Sequence, residues 1–371
     1  MKKIKNVISF VENLLGKLRK LFVNTLTVLF LMLITFGFLF SLGESLFESD
    51  KVETEDQILY LEPKGVIVDK AILTNDPFEE FEIFESAINQ IELEEFLKII
   101  KNAGTDDDLK AIYLDVDGLS AYYTSALKIA DALYEARENG KEIIAFTSGL
   151  GTTGYLMASQ ATEIILEKDT YEPVLPFGFS RVRLYQKDFF ENIKVNMNVY
   201  AAGDFKSGPE GYTRNDMSET DRFAWLEFIT PIWEKYKSKM EIGRGFESGR
   251  IQYIGDNYPL LVSENNGDNN ETSLTTGLVD KLMSEQETRN YLIEKYGSEE
   301  EYERPEGISG REYLSTLKDE DISNKQKRVQ EKNKIAIIHV EGAIVTGDIG
   351  FNTAGSGGIV KKLIKQEMMK M

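Results

Sequence analysis

The sequence predicts an α/β protein with a largely parallel β-sheet, preceded by an apolar N-terminal segment. Short apolar runs such as "LKAIYLDV" (109–116), "EIIAFTS" (142–148) and "TEIILE" (162–167) have the length and composition of strands. Segments with helical spacing lie before and between them, at residues 93–103 and 124–141. Strands that alternate with helices indicate βαβ units, in which the strands pair in parallel.

The N-terminal segment Leu21–Leu42 contains 22 residues and no charged side chain. Because a helix rises about 1.5 Å per residue, a segment of this length spans a hydrocarbon core of roughly 30 Å. Residues 1–20 hold six Lys or Arg and one acidic residue, and such a basic flank stays in the cytoplasm. The following "FSLGESLF" has no alanine for an A-x-A cleavage site. We therefore predict an uncleaved single-pass anchor in the cytoplasmic (inner) membrane, with the main domain outside; a buried core helix is the alternative.

The amino-acid composition excludes or disfavours several classes of function. A net charge of −19 disfavours nucleic-acid binding through phosphates. The absence of cysteine excludes disulfides, thiolate metal sites and cysteine catalysis. The single histidine, His339, lies in the strand-like run "IAIIHVEG", where we interpret it as structural. No metal ion or cofactor is expected.

The rest of the chain divides into four predicted parts. Residues 43–56 are acidic and polar and are interpreted as a tether. Residues 57–296 form a first domain, which includes a long helix over 219–243. Residues 297–332 are charged, with little periodicity, and are interpreted as a linker. Residues 333–371 begin a second domain.

The second domain repeats the beginning of the first. "NKIAIIHVEGAIVTGD" (333–348) has the same order of strand, glycine and apolar run as "DQILYLEPKGVIVDK" (56–70). The helical segment 357–368 corresponds to 93–103. An offset of about 275 residues indicates duplication of a whole domain. Since the sequence ends at Met371, where the repeated helix ends, we expect the second repeat to be truncated.

Four motifs give the chain a resemblance to a known family. They are "KGVIVDK" (64–70), the stretch from "LKAIYLDVDG" to "GKEIIAF" (109–146), "FKSGPEGYTRNDMS" (205–218) and "GLVDKL" (277–282). With them the chain resembles the signal peptide peptidase A (protease IV) family in its long, two-repeat bacterial form. The third motif is the most specific, because the family pattern is roughly aromatic-Lys-Ser-x-x-Glu-x-aromatic-x-Arg-x-Asp-Met-Ser. Its matching residues are Phe205, Lys206, Ser207, Glu210, Tyr212, Arg214, Asp216, Met217 and Ser218.

The resemblance implies a crotonase-like (ClpP/crotonase) α/β fold, a spiral of ββα units, and a serine peptidase with a Ser/Lys dyad. It makes Lys206 the general base. A lysine acts as a base only when neutral, so its pKa must fall from about 10.4 toward 7–8, which burial in apolar surroundings achieves. Ala201, Ala202 and Phe205 would supply such surroundings. We therefore predict that Lys206 is buried or lies in a cleft; a solvated loop lysine is the alternative.

The nucleophile is harder to place. In the long form the serine comes from an Ala-Ser-Gly-Gly-Tyr type turn of the second repeat, and residues 1–371 contain no such turn. The first-repeat counterpart, "GLGTTGYLMAS" (149–159), carries threonine at this position. A threonine hydroxyl can attack a carbonyl, but we interpret Thr152 as a helix N-cap. We expect the chain to carry the lysine, to lack the serine and to be inactive alone.

The resemblance also implies partners. These are cleaved signal peptides or other unstructured apolar peptides, membrane lipid, and further copies of the chain in a homo-oligomer. Two alternatives remain. One is a non-catalytic, membrane-tethered module that binds peptides or assembles with a partner chain. The other is an acyl-CoA-binding enzyme of crotonase fold, against which the external location and the lysine motif argue.

Overall fold

The computed structural model describes residues 17, 19–20, 22, 24–32, 35, 57–71, 89–297, 304–317, 340, 343–347 and 353–368. They belong to two compact units, Met1–Glu53 and Thr54–Met371. The predicted tether (43–56) and His339 lie outside the described residues.

In the first unit, residues 24–32 are helical, as are residues 17, 19–20, 22 and 35. Apolar side chains of this helix, such as Phe22 and Met32, are exposed. In the part of the chain that the structure describes, no helix has both the length and the apolar character needed to cross a membrane. Residues 36–42 of the predicted anchor lie outside that part, so the anchor over 21–42 stays a prediction.

The second unit is built from short strands and helices. The described strands are β1 (Gln57–Leu61), β2 (Gly65–Val68), β3 (Gln90–Glu92), β4 (Leu109–Asp115), β5 (Leu119–Ser120), β6 (Glu142–Thr147), β7 (Glu163–Glu167), β8 (Lys281–Met283), β9 (Gly307–Ser309), β10 (Ala343–Val345) and β11 (Thr353–Gly355). The described helices are α1 (Leu93–Ala103), α2 (Tyr123–Glu138), α3 (Thr152–Ala158), α4 (Lys187–Asn192), α5 (Glu210–Thr213), α6 (Glu219–Arg244), α7 (Arg250–Glu264), α8 (Asn269–Thr275), α9 (Glu285–Tyr296), α10 (310–317) and α11 (Ser356–Met368).

The largest sheet has six strands in the order β8-β7-β6-β4-β1-β9, and every pair is parallel. This confirms the predicted mixed α/β class with a parallel sheet. The helix predicted over 93–103 is confirmed with the same bounds. The next one ends at Glu138 rather than at 141, and Gly140 follows with a φ of 93°, a conformation that favours glycine.

Both faces of this sheet are covered. Side chains on one face, such as Leu59, Ile112 and Ile164, form a core with α1, α2 and α3. Neighbouring residues point the other way, as alternation along a strand requires. Tyr60 and Tyr113 are among these, and they belong to a second cluster that includes Leu292 of α9. A parallel sheet is stable in water only when both faces are buried, so α9 completes the sheet.

A smaller sheet, β3-β2-β5, is also parallel. The chain passes from the larger sheet to the smaller one twice, because β1 is followed by β2 and β4 is followed by β5. The segments after β2 and β5 then lead to helices α1 and α2. The first segment thus gives one strand to the larger sheet and two, β2 and β3, to the smaller sheet before its helix, and the second segment gives one strand to each.

The pair β10 and β11 repeats the arrangement of β2 and β3. Val66 lies opposite Gln90 and Val68 opposite Glu92, and α1 begins at the next residue, Leu93. In the later pair, Ala343 lies opposite Thr353 and Val345 opposite Gly355, and α11 begins at the next residue. The two places that the sequence comparison aligned thus have the same strand order, orientation and connection to a helix.

The predicted linker (297–332) needs correction over residues 304–317. Within it, β9 pairs with β1 and extends the main sheet, and Ile308 is buried. Tyr313 of α10 is buried too, and its hydroxyl donates to Asp106 at 2.8 Å. The segment looked like a linker because charged residues surround only a few buried ones. The first domain therefore extends at least to residue 317.

We expect Tyr313→Ala to lower the free energy of unfolding by about 3 kcal/mol, because it empties a buried aromatic site. Tyr313→Phe keeps the ring and removes only the hydrogen bond to Asp106, so its expected cost is about 1 kcal/mol. Urea denaturation of the two variants and the wild type measures both values. If both variants unfold like the wild type, α10 does not belong to the first domain.

Candidate active site

The motif segment 205–218 is held between residues 181–188 and the beginning of α6. The backbone N–H of Gln186 donates to the carbonyl of Gly211 at 2.8 Å. Asn215 donates through Nδ2 to Asp188 at 2.6 Å. These contacts join α4 and α5 side by side, so the residues that follow Lys206 form a fixed loop.

A buried carboxylate, Asp221, lies at the centre of this region, with its side chain 5% exposed. Arg181 approaches one oxygen at 3.1 Å and Arg183 the other at 3.5 Å. The Ser207 side chain bonds to the same carboxylate. Burial opposes ionisation of Asp221, but the hydrogen bonds from Ser207 and Arg181 and the two positive charges outweigh it and lower its pKa.

Arg183 also reaches the motif backbone. Its Nη2 donates to the carbonyls of Ser207 and Gly208, each at 2.6 Å. One guanidinium thus bonds the two residues after Lys206 and contacts Asp221 in the first turn of α6.

Glu210 and Ser218 form a second hydrogen-bonded contact that holds the motif loop. The Ser218 hydroxyl donates to Glu210 Oε1 at 2.5 Å, and its backbone N–H donates to Oε2 at 3.2 Å. The same hydroxyl accepts from the backbone N–H of Asp221 at 3.0 Å, which makes Ser218 the N-cap of α6. The spacing of glutamate and serine in the motif is therefore what closes the loop onto the helix.

The expected burial of Lys206 is wrong for the described chain. Lys206 is exposed, and so are Ala201, Ala202 and Phe205, the neighbours predicted to enclose it. An extended loop cannot bury its own side chains without an element packed over it, and among the described residues nothing covers these four. The role of Lys206 as a base stays a prediction.

Thr152 is placed differently from its predicted role. The N-cap of α3 is Gly151, so Thr152 is the first helical residue, and it is buried. Its hydroxyl donates to the Gly178 carbonyl at 2.7 Å and accepts from the Gly178 N–H at 3.1 Å. The hydroxyl therefore joins α3 to the segment after β7, and no hydrogen bond links it to Lys206.

Acidic side chains gather where β4 and β6 end. Asp117 accepts from the hydroxyls of Thr147 and Ser148 at 2.5 and 2.6 Å and from the Ser148 N–H at 2.6 Å. Asp115, at the end of β4, accepts the Asp117 N–H at 2.8 Å. Burial raises the pKa of Asp115 to about 6, assisted by the charges of Asp117 and Glu62. In the described part of the chain, no group of three His, Asp or Glu side chains could hold a metal ion.

The sequence interpretation missed Arg181, Arg183 and Asp221. The first two lie in "SRVRLYQ", where charged and apolar residues alternate. Val182 and Leu184 are exposed, whereas the Arg183 side chain is only 18% exposed. Such inverted alternation signals a buried polar network, but it cannot show which carboxylate the arginines meet.

Comparison with known proteins defines the class. Residues 135–297 match Peptidase family S49. Protease 4 of Haemophilus influenzae is 24% identical over 363 residues, which cover 97% of this chain and 57% of the relative. Protease 4 of Salmonella typhi is 26% identical over 345 residues, covering 90% and 52%. The chloroplastic serine protease SPPA of Arabidopsis thaliana is 23% identical over 285 residues, covering 76% and 39%.

The chain is thus similar to proteins of the peptidase class. The matches support peptidase family S49 and the signal peptide peptidase A (protease IV) type. It spans about half the length of the curated bacterial relatives it matches.

We expect Asp115→Asn to stabilise the protein at neutral pH. A carboxyl whose folded pKa lies above its unfolded value favours the folded state while protonated, and this contribution is lost as pH rises through about 6. The variant should therefore match the wild type near pH 4 and exceed its free energy of unfolding by roughly 1–2 kcal/mol at pH 7. Urea titrations at both pH values test this. Asp107→Asn, at an exposed site, is the control; an equal effect of both variants would contradict the assignment.

Thr152→Val should cost about 1–3 kcal/mol of unfolding free energy, because it leaves the Gly178 N–H and carbonyl without the hydroxyl that bonds both. Thr152→Ser keeps the hydroxyl and should cost less than about 1 kcal/mol. Thermal unfolding of the two variants gives the comparison. Equal stability would mean that the hydroxyl has no structural role.

Proposed function

We propose that this chain is the lysine-bearing part of a membrane-anchored serine peptidase of the signal peptide peptidase type, with Lys206 as general base of a Ser/Lys dyad. The observation that carries the proposal is the motif 205–218. Ser207, Glu210 and Ser218, which match the family pattern, form one hydrogen-bonded loop with Lys206 at its start. The match of residues 135–297 to family S49 supports a peptidase activity.

In this reaction the neutral Lys206 amine takes the proton of a serine hydroxyl as the oxygen attacks the peptide carbonyl. The protonated amine then gives a proton to the departing amine, which leaves an acyl-enzyme. Water, deprotonated by the same lysine, releases the acid and frees the serine. The serine would come from a second repeat, since the turn that carries it in the family does not occur in residues 1–371.

The exposure of Lys206 in the single chain sets a condition for this chemistry. Burial in apolar surroundings disfavours a charged amine, so another surface must cover the lysine before it can act as a base. The segment leading to it offers apolar side chains for such a contact. Tyr200 and Phe205 are 97% and 63% exposed, and exposed apolar groups of this size favour a protein interface. Further copies of the chain, in a homo-oligomer, are the proposed source.

The remaining parts of the proposal follow from the sequence. The apolar segment 21–42 anchors the chain in the cytoplasmic membrane, with the N-terminus inside and the peptidase domain outside. Cleaved signal peptides and other unstructured apolar peptides are the proposed substrates, as the resemblance to the signal peptide peptidase A family implies. The fold is taken as crotonase-like, and the two successive segments that add strands to both sheets before a helix support this.

A specific observation favours an alternative, a non-catalytic tethered module that binds peptides or assembles with a partner. Lys206 is exposed, and the Thr152 hydroxyl is fully used by Gly178. Among the described contacts, Lys206 and Thr152 are therefore not brought together as a dyad.

We expect residues 1–371 alone to hydrolyse an apolar fluorogenic peptide several orders of magnitude more slowly than a two-repeat relative, since base and nucleophile act as a unit. Adding a purified second repeat from such a relative should raise turnover, and Lys206→Ala should abolish the gain. Lys128→Ala, at an exposed site on α2, is the matched control.

Two results would overturn parts of this proposal. Robust turnover by residues 1–371 alone that is lost in both Lys206→Ala and Thr152→Ala would make Thr152 the nucleophile. Turnover that Lys206→Ala leaves unchanged would remove the dyad.

A further inference from the structure

One side chain from outside the motif, that of Arg183, bonds the backbone directly after Lys206. Arg183 donates from a single nitrogen, Nη2, to the carbonyls of Ser207 and Gly208, each at 2.6 Å. No other side chain bonds these two carbonyls among the described residues. Arg183 therefore helps to orient the peptide groups of these two carbonyls, and the Glu210 N–H also donates to the Ser207 carbonyl.

Arg183 is itself held in place. Its Nη1 lies 3.5 Å from the carboxylate of Asp221, and its guanidinium lies over the Tyr185 ring at 5.6 Å. Asp221 is fixed in turn, because it lies in the first turn of α6 and its backbone N–H bonds the N-cap hydroxyl of Ser218. A carboxylate at this end of a helix also interacts favourably with the helix dipole.

The chemistry of the contact requires a guanidinium. Two carbonyls and one carboxylate surround the group, and a planar fork with several N–H donors can serve them at once. A lysine ammonium is a point charge on a flexible stem, and it would serve fewer of these acceptors in one position.

We propose that Arg183 is a positioning residue for Lys206, acting through the backbone of Ser207 and Gly208 and fixed by Asp221. The inference deepens the proposed function, since Lys206 is the base there. It assigns the position of the lysine to a residue 23 places earlier in the chain and outside the motif.

Arg181 provides a matched control within the same network. It carries the same charge and bonds the same carboxylate, at 3.1 Å, but its other contact is the Trp225 ring, at 5.6 Å from the centroid. No hydrogen bond joins it to the motif backbone. Loss of Arg181 therefore perturbs Asp221 and leaves the two hydrogen bonds from Arg183 to the Ser207 and Gly208 carbonyls in place.

The absence of cysteine from the chain makes a direct test possible. Lys206→Cys introduces a unique site for a nitroxide label in the full chain, and electron paramagnetic resonance then reports the mobility of position 206. In this background Arg183→Gln should shorten the rotational correlation time of the label at least about twofold, whereas Arg181→Gln should leave it unchanged. Arg183→Lys should fall between the wild type and Arg183→Gln.

A second label separates local release from unfolding. Lys128→Cys, on the exposed side of α2, should keep the same mobility in every variant. Equal effects of Arg181→Gln and Arg183→Gln at position 206, or no effect of either, would overturn the proposal. If Arg183→Gln mobilises both labels, hydrogen exchange of the Arg183→Lys variant decides, and unchanged protection of the Glu210 N–H, which donates to the Ser207 carbonyl, would refute the role.

These outcomes are independent of catalysis. If Lys206→Ala has no effect on peptide hydrolysis but Arg183→Gln mobilises position 206, the base role fails and the positioning role stands. If Lys206→Ala abolishes hydrolysis and Arg183→Gln leaves the label immobile, the reverse holds.

Discussion

The burial of a parallel sheet on both faces is the constraint from which the rest of this domain follows. Helices α1 to α3 cover one face, and they arise where parallel connections must cross over. Among the described residues, the opposite face is covered by α9, which comes after β8 and is not a crossover helix of that kind. Lys281 and Lys295 secure α9 by their contacts with Tyr291, Glu163 and Glu142. The long segment between β7 and β8 does not have to complete the sheet, and it carries the motif loop of the candidate site.

That segment, residues 168–280, contains α4 to α8 and the whole motif loop. Around the motif loop, this segment makes few contacts with the hydrophobic core, and polar side-chain contacts hold it instead. Asp221, Ser218 and Glu210 fix the loop to α6 with charge-assisted hydrogen bonds, which are directional and stronger than neutral ones. A loop held in this way keeps its backbone geometry while its outer side chains stay exposed. This arrangement suits a residue whose surroundings are completed by another surface.

Much of the fold could be predicted from the sequence, because buried strands and amphipathic helices leave a periodic pattern. The helix at 93–103 and the strands at 109–115 and 142–147 follow from that pattern. The strand β9 and helix α10 could not be found so easily, since they bury only a few residues, such as Ile308 and Tyr313, within charged sequence. At the site, the motif identified Lys206, but its exposure depends on what packs over a loop, and that is a tertiary property. The sequence analysis missed Arg183 and Asp221, because they pair across a distance in sequence that no local pattern connects.

The pairing of β1 with β9 has a consequence for folding. Tyr60 lies opposite Ser309, so the edge of the sheet is closed by residues separated by almost the whole domain. Contacts this distant in sequence form late, because a long loop must close first. Until then the edge of β1 presents unpaired backbone groups, which can pair with strands of other chains. The helix α10 follows β9 directly and packs Tyr313 into the core, so it stabilises the pairing of β9 with β1. During synthesis on the ribosome, the domain can become resistant to aggregation only after residue 317 has emerged.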